Sequence, residues 1–164
     1  DGINVTTQGR MERRLSALVE KEVISADQYS RLLDCSPLRN PGQRRARLGK
    51  FWMVSSRLPV SHSGVDPLLS SWGGEVVYFW QNDPSLKELL RSFGSPAIVE
   101  ISAPIIKTNQ ESRIAVCMLE NYISESKKDN SFDFYVKDDL PASFIRRILT
   151  PDQPGFSNFG ESNQ

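Results

Sequence analysis

Apolar residues recur at intervals of three and four between residues 10 and 23, at Met11, Leu15, Leu18, Val19 and Val23, which predicts an amphipathic helix. Ser25 stands where an N-cap belongs, so a second helix is expected to run to about Leu33. The alternation of Ile3-Asn4-Val5-Thr6-Thr7 reads as an opening strand, broken by Gly9. Residues 50–54 (Lys50-Phe51-Trp52-Met53-Val54) read as a buried strand, and residues 76–80 (Val76-Val77-Tyr78-Phe79-Trp80), apolar throughout, as a central strand covered on both faces. Residues 97–104 and 132–136 complete the expected strands. The second has Phe132, Phe134 and Val136 on one face.

Punctuation between these runs is clear. Asp66-Pro67 and Asp83-Pro84 each resemble an N-cap followed by proline at the first helical position. The second opens a helix whose Leu86, Leu89, Leu90 and Phe93 form one apolar face, closed by Gly94. Residues 114–122 fit a helical period and residues 124–131 a polar loop; after Leu140-Pro141, residues 142–149 are expected to form a short helix. Residues 36–48, with two prolines and a glycine, are expected to be a loop. Alternating helix and strand signals without a repeat predict an α+β fold. The expected organisation is one domain over residues 1–150 and a flexible C-terminal tail over 151–164.

Composition narrows the function classes. No run approaches the roughly 20 apolar residues of a membrane span, and the first residues lack the order of a signal peptide, so a cytoplasmic location is expected. Cys35 and Cys117 are isolated and His62 is the only histidine; no metal site is expected. His62 also lacks a serine–acid spacing that would suggest hydrolysis. Net charge is zero, yet residues 1–60 carry 11 basic against 6 acidic side chains, and residues 61–164 carry 9 against 14. That distribution argues against a broad nucleic-acid coat and leaves room for one local anion-binding patch. Arg44, Arg45 and Arg47 lie within four residues, and guanidinium groups match phosphate oxygens in pairs.

The stretch Trp72-Gly73-Gly74-Glu75 concentrates the remaining signal. Two glycines permit positive φ and close backbone approach, and they place a carboxylate at a joint. Ser55-Ser56-Arg57 adds polar residues at a strand end, where a rigid scaffold presents side chains to a loop.

The order of elements resembles the ADP-ribosyltransferase-like fold, a split mixed β-core that clamps NAD. The likeness is closest to the toxin branch that modifies DNA and to the RNA 2′-phosphotransferase branch. Asn4-Val5-Thr6-Thr7 occupies the place of that group's first motif, where a His precedes Thr. Residues 19–25 resemble its locating-helix element without the usual glycine, and residues 51–57 resemble the strand ending near the nicotinamide. Phe132-Asp133-Phe134-Tyr135-Val136, with Leu140-Pro141 and Ile145 behind it, resembles the late strand that carries the catalytic Glu. The chain also resembles bacterial proteins that share a Trp-Gly-Gly-Glu joint, a Gly-x-Pro before a strand (Gly94-Ser95-Pro96) and a late Leu-Pro helix, across most of residues 49–156.

The resemblance implies an NAD-consuming, toxin- or defence-like ADP-ribosyl transferase acting on a nucleic acid or protein acceptor. Asn4, Thr6 and Thr7 would hold the nicotinamide ribose, and Arg44, Arg45 or Arg57 the pyrophosphate. Trp52, Trp72 or Tyr78 would stack on the nicotinamide, with Ser55 at the adjoining strand end. The catalytic carboxylate would be Glu75 or Asp133; the family's His is Asn4 here, and its Glu is Asp133, one methylene shorter. The alternative is a non-catalytic interaction or inhibitor protein on the same scaffold, with a protein partner such as an antitoxin, and with Glu75 in a structural ion pair.

Overall fold

The computed structural model of the chain describes residues 2–123 and 132–160. The expected polar loop at 124–131 and the end of the expected tail lie outside them. The fold is α+β and divides into a helical part and two small sheets.

The helical part is built from α1 (Gln8–Glu20), α2 (Ala26–Asp34), α3 (Pro41–Arg47), α4 (Asp66–Ser70), α5 (Glu75–Tyr78) and α6 (Pro84–Ser92). Thr7 caps α1 through its side chain. Ser25 and Gln28 form a reciprocal capping box on α2, and Asp83 caps α6 ahead of Pro84. These ends fix where the apolar stripes point. Met11 and Leu15 of α1, Leu32 of α2 and Leu86 and Leu90 of α6 meet with Ile24, Leu38 and Val77 in one buried cluster. Each such leucine contributes about 1.5–3 kcal/mol through area removed from water.

The sheets are β1 (Phe51–Val54) paired antiparallel with β3 (Asp133–Val136), and β2 (Ile98–Ile101) paired antiparallel with β4 (Ile145–Leu149). Both ladders among the described residues are antiparallel, so the mixed pairing expected from the sequence is not present in them. Phe132, Val136, Leu140 and Leu149 are buried around these pairs. Between β2 and β3 lies α7 (Glu111–Ile123), which packs against the short 3-10 turn Ile105–Lys107.

Four elements differ from the sequence reading. Residues 76–80 are not a strand: Gly73 (φ +90°) and Gly74 (φ +67°) turn the chain directly into α5, where only Val77 is buried and Phe79 and Trp80 are exposed. A short apolar run has no period of its own to separate helix from strand. Residues 142–149 are not a helix; after one 3-10 turn they become β4, because Ile145 and Leu149 find backbone partners on Ile101 and Ile98. Residues 36–48 are not a loop: Asn40 accepts from the Gly42 and Gln43 amides and Pro41 starts α3. Residues 3–7 form no extended strand, only a bridge from Ile3 to Leu140 and a backbone exchange between Thr6 and Gly49-Lys50. In addition, Asp66 does not cap α4; it is the first residue of that helix, and Val65 holds the cap position without a side-chain bond.

Residues 151–160, the described part of the expected tail, form turns. A Cβ on Gly160 would lie 2.3 Å from the Leu58 carbonyl carbon, and the Arg57 guanidinium sits 5.6 Å from the Phe159 ring centre.

Candidate functional site

The end of α3 is the point on which several sequence-selected residues converge. Pro41 and the Asn40 cap set the helix direction, so its last turn delivers Arg44, Arg45 and Arg47 next to the start of β1. The C-terminal carbonyls of α3 take side-chain donors: Lys50 Nζ bonds the Arg45 oxygen at 2.9 Å and Trp52 Nε1 bonds the Ala46 oxygen at 3.1 Å. Thr6 lies along the same turn, donating to the Lys50 carbonyl at 2.9 Å and accepting from the Gly49 amide at 2.8 Å.

On the outer face of β1, Trp52 stands opposite Tyr135 of β3 with ring centres 4.8 Å apart in an edge arrangement. The Lys50 ammonium is 4.5 Å from the Tyr135 ring and 5.9 Å from the Trp52 ring. Trp52 nevertheless remains 44 % exposed. Arg44 and Arg45 are exposed, and no carboxylate pairs with Arg44, Arg45 or Lys50 among the described residues. The result is an aromatic and cationic corner.

Glu75 belongs to a different cluster. Its Oε2 accepts from Arg47 Nε at 3.0 Å, and the Arg47 side chain is only 13 % exposed. Arg47 also bonds Gln43 and lies over the Phe79 ring. Tyr78 sits beside this pair. Its phenol is pushed above its ordinary value by burial first and by the Glu75 charge second, while Arg47 opposes the shift. Glu75 is therefore held by a cation at the start of α5.

The other candidates are distributed elsewhere. Asp133, exposed, faces Val54 at the opposite end of the β1–β3 ladder, where Ser55 exchanges hydrogen bonds with the Phe132 backbone. Arg57 pairs with Glu100 at 2.8 Å. Trp72 packs on Phe93 with ring centres 5.5 Å apart and receives the Arg14 guanidinium at 5.2 Å. Thr7 caps α1, and exposed Asn4 makes one long contact to the Gly2 carbonyl. His62 accepts from the Gly64 amide in its own turn. Thus Thr6, Arg44, Arg45 and Trp52 meet at the α3 end, Glu75 and Tyr78 meet around Arg47, and Ser55 and Asp133 meet at the far strand end. Among the described residues, no hydrogen bond or ion pair joins Asn4, Arg57 and Glu75.

An open depression of about 490 Å³ lies elsewhere, lined in part by Asp34, Cys35, Arg39, Asn40, Trp80 and Asn82; none of the twelve candidates lines it. Among the described residues no group of three His, Cys, Asp or Glu side chains could hold a metal, and no helix is long and apolar enough to cross a membrane.

Lys50 and Tyr135 were missed by sequence reasoning. Lys50 had a signal, because it lies two residues before Trp52 and strand alternation puts both on one face. Tyr135 had none, since its position depends on the register between β1 and β3. No family model, no curated protein and no solved structure matches the chain.

Proposed function

We propose that the chain is a non-catalytic interaction protein that docks an acidic segment of a protein partner on the corner formed by Arg44, Arg45, Lys50, Trp52 and Tyr135. The observation that carries this reading is the half-exposed Trp52 beside Tyr135 and the Lys50 ammonium, with Arg44 and Arg45 exposed on the α3 turn that Lys50 and Trp52 bond, and with no acidic partner for these three cations among the described residues. Trp, Tyr and Arg are the residues that dominate binding energy at interfaces. Net charge is zero and the second part of the chain is acidic, so the field favours a locally acidic partner over an extended polyanion. The Arg47–Glu75 pair supports the non-catalytic reading, because it gives Glu75 a structural role.

The test is fluorescence anisotropy with a labelled acidic peptide and, separately, a labelled single-stranded oligonucleotide. The expected result is salt-sensitive peptide binding that falls about tenfold or more in Trp52→Ala and in the Arg44→Glu/Arg45→Glu double variant. Tighter binding of the oligonucleotide would replace the protein partner with a nucleic acid, and binding of neither probe would end the reading.

A second reading is NAD-dependent ADP-ribosyl transfer on an ADP-ribosyltransferase-like split core. One observation favours it: Thr6 from the first-motif position bonds the backbone of Gly49 and Lys50 just after α3, and the last residue of that helix, Arg47, holds Glu75. Label transfer from NAD that is abolished by Glu75→Gln or Asp133→Asn would establish this reading. Absence of NAD binding by calorimetry at millimolar cofactor would remove it.

A further inference from the structure

Among the described residues, α7 turns one side to the fold and leaves the other exposed. Ile114 and Cys117 are half-buried, whereas Val116 (51 % exposed), Leu119 (59 %) and Ile123 (77 %) point away, together with Tyr122. Reading from Ser112, the outward positions are Ser112, Val116, Leu119 and Ile123, a spacing of four, three and four. That is the a/d spacing of a two-stranded coiled coil, with β-branched Val116 and Ile123 at a, Leu119 at one d and Ser112 at the other. The flank on one side of the seam carries Glu120 and Arg113, whose guanidinium lies 4.5 Å from the Phe132 ring centre of its own chain, and the flank on the other carries Ala115 and Tyr122.

We infer that α7 is a self-association element that pairs antiparallel with α7 of a second copy of this chain. An antiparallel two-fold arrangement sets Val116 against Leu119 of the partner subunit and Ser112 against Ile123 of the partner subunit. It also sets Arg113 against Glu120 of the partner subunit on one flank, twice by symmetry, and the small Ala115 against the large Tyr122 of the partner subunit on the other. Both flanks are thus complementary to themselves, in charge and in size, only in this orientation. Parallel pairing would put Ala115 opposite Glu120 of the partner subunit and leave Arg113 without the match. The eight residues after Ile123 contain no apolar side chain. The inference is independent of the reading of the Trp52 corner, because β1 and α7 present different residues.

Sedimentation velocity on the full chain, over about 1–100 μM, tests it. The expected result is a reversible monomer–dimer equilibrium that Leu119→Glu abolishes without changing the circular dichroism spectrum or the thermal midpoint of the monomer. Arg113→Glu is expected to weaken the dimer about tenfold, and Arg113→Glu combined with Glu120→Arg is expected to restore it. A chain that stays monomeric at every concentration overturns the inference, and so does a dimer that survives Leu119→Glu. If the double charge exchange fails to restore what Arg113→Glu removes, the antiparallel pairing is overturned.

Discussion

The two parts of the molecule spend their hydrophobic residues differently. In the helical part, Leu15, Leu32, Leu86 and Leu90 come from three separate helices and are almost wholly inaccessible. On α7 the apolar content is comparable, yet Val116, Met118, Leu119, Tyr122 and Ile123 stay exposed. Residue type alone therefore does not locate the core. What separates the two parts is whether a second apolar face is presented opposite, and an element that is apolar on its outer face points to a partner.

The sharpest way to break this comparison is to truncate one leucine on each side. Leu32→Ala or Leu90→Ala is expected to lower unfolding free energy by about 2–5 kcal/mol in a urea titration, through lost transfer and a residual cavity. Leu119→Ala is expected to change the monomer by within about 0.5 kcal/mol, the range of surface substitutions. Equal losses at Leu32 and Leu119 would mean that α7 belongs to the core. A medium effect is expected at the glycine joint: Gly73→Ala places a Cβ 2.6 Å from Val77 at φ +90°, a strained position costing about 1–3 kcal/mol. Because Val77 is in the central cluster, the variant should lose thermal stability without altering dimer formation.

Smaller effects bear on the charged contacts. Ser25→Ala, which removes one half of the α2 capping box, is expected to cost about 1 kcal/mol by thermal unfolding. Arg10 pairs with Asp139 at 2.7 Å, and Asp139 also accepts from the Val5 amide. The Arg10 hydrogen bond first, and the Val5 amide second, hold this carboxyl below its usual range. A lowered folded pKa gives stability that is fully present above about pH 4 and lost as the pH falls through the folded value. Asp139→Asn is therefore expected to flatten the acid limb of a stability–pH profile while leaving the dimer equilibrium near neutrality unchanged. A profile with the same acid limb in this variant would assign the acid sensitivity to other carboxylates.

Much of the helical part was legible because its signals are local. The Ser25 cap and the Asp83-Pro84 start are decided by neighbours within four residues, and α2 and α6 were readable from them. The errors fell where a distant partner decides. Residues 145–149 form a strand because Ile98–Ile101 offers an open edge, and residues 75–78 form a helix because two glycines redirect the chain and Ser36 Oγ bonds the Val76 carbonyl. The candidate site divides in the same way. Arg44, Arg45 and Trp52 gather at the α3 end because short connections carry them there, whereas the Thr6–Gly49 bond, the Arg47–Glu75 pair and the Trp52–Tyr135 contact span 43, 28 and 83 residues of sequence respectively. Spacing along the chain has no information about such pairings.

The bridge between Ile3 and Leu140 has a kinetic consequence. Its reciprocal amide–carbonyl bonds, both 2.8 Å, close the chain across nearly its whole described length. Closing a long loop costs entropy that grows as the logarithm of its length, and the cost is recovered only after the intervening segments have become compact. The helical part can gather from nearby contacts, so this clasp is expected to form last and open first. Amide hydrogen exchange provides the measurement: Ile3 and Leu140 should exchange together and ahead of Leu32 and Leu90, giving the molecule a zip that releases while its centre is still folded.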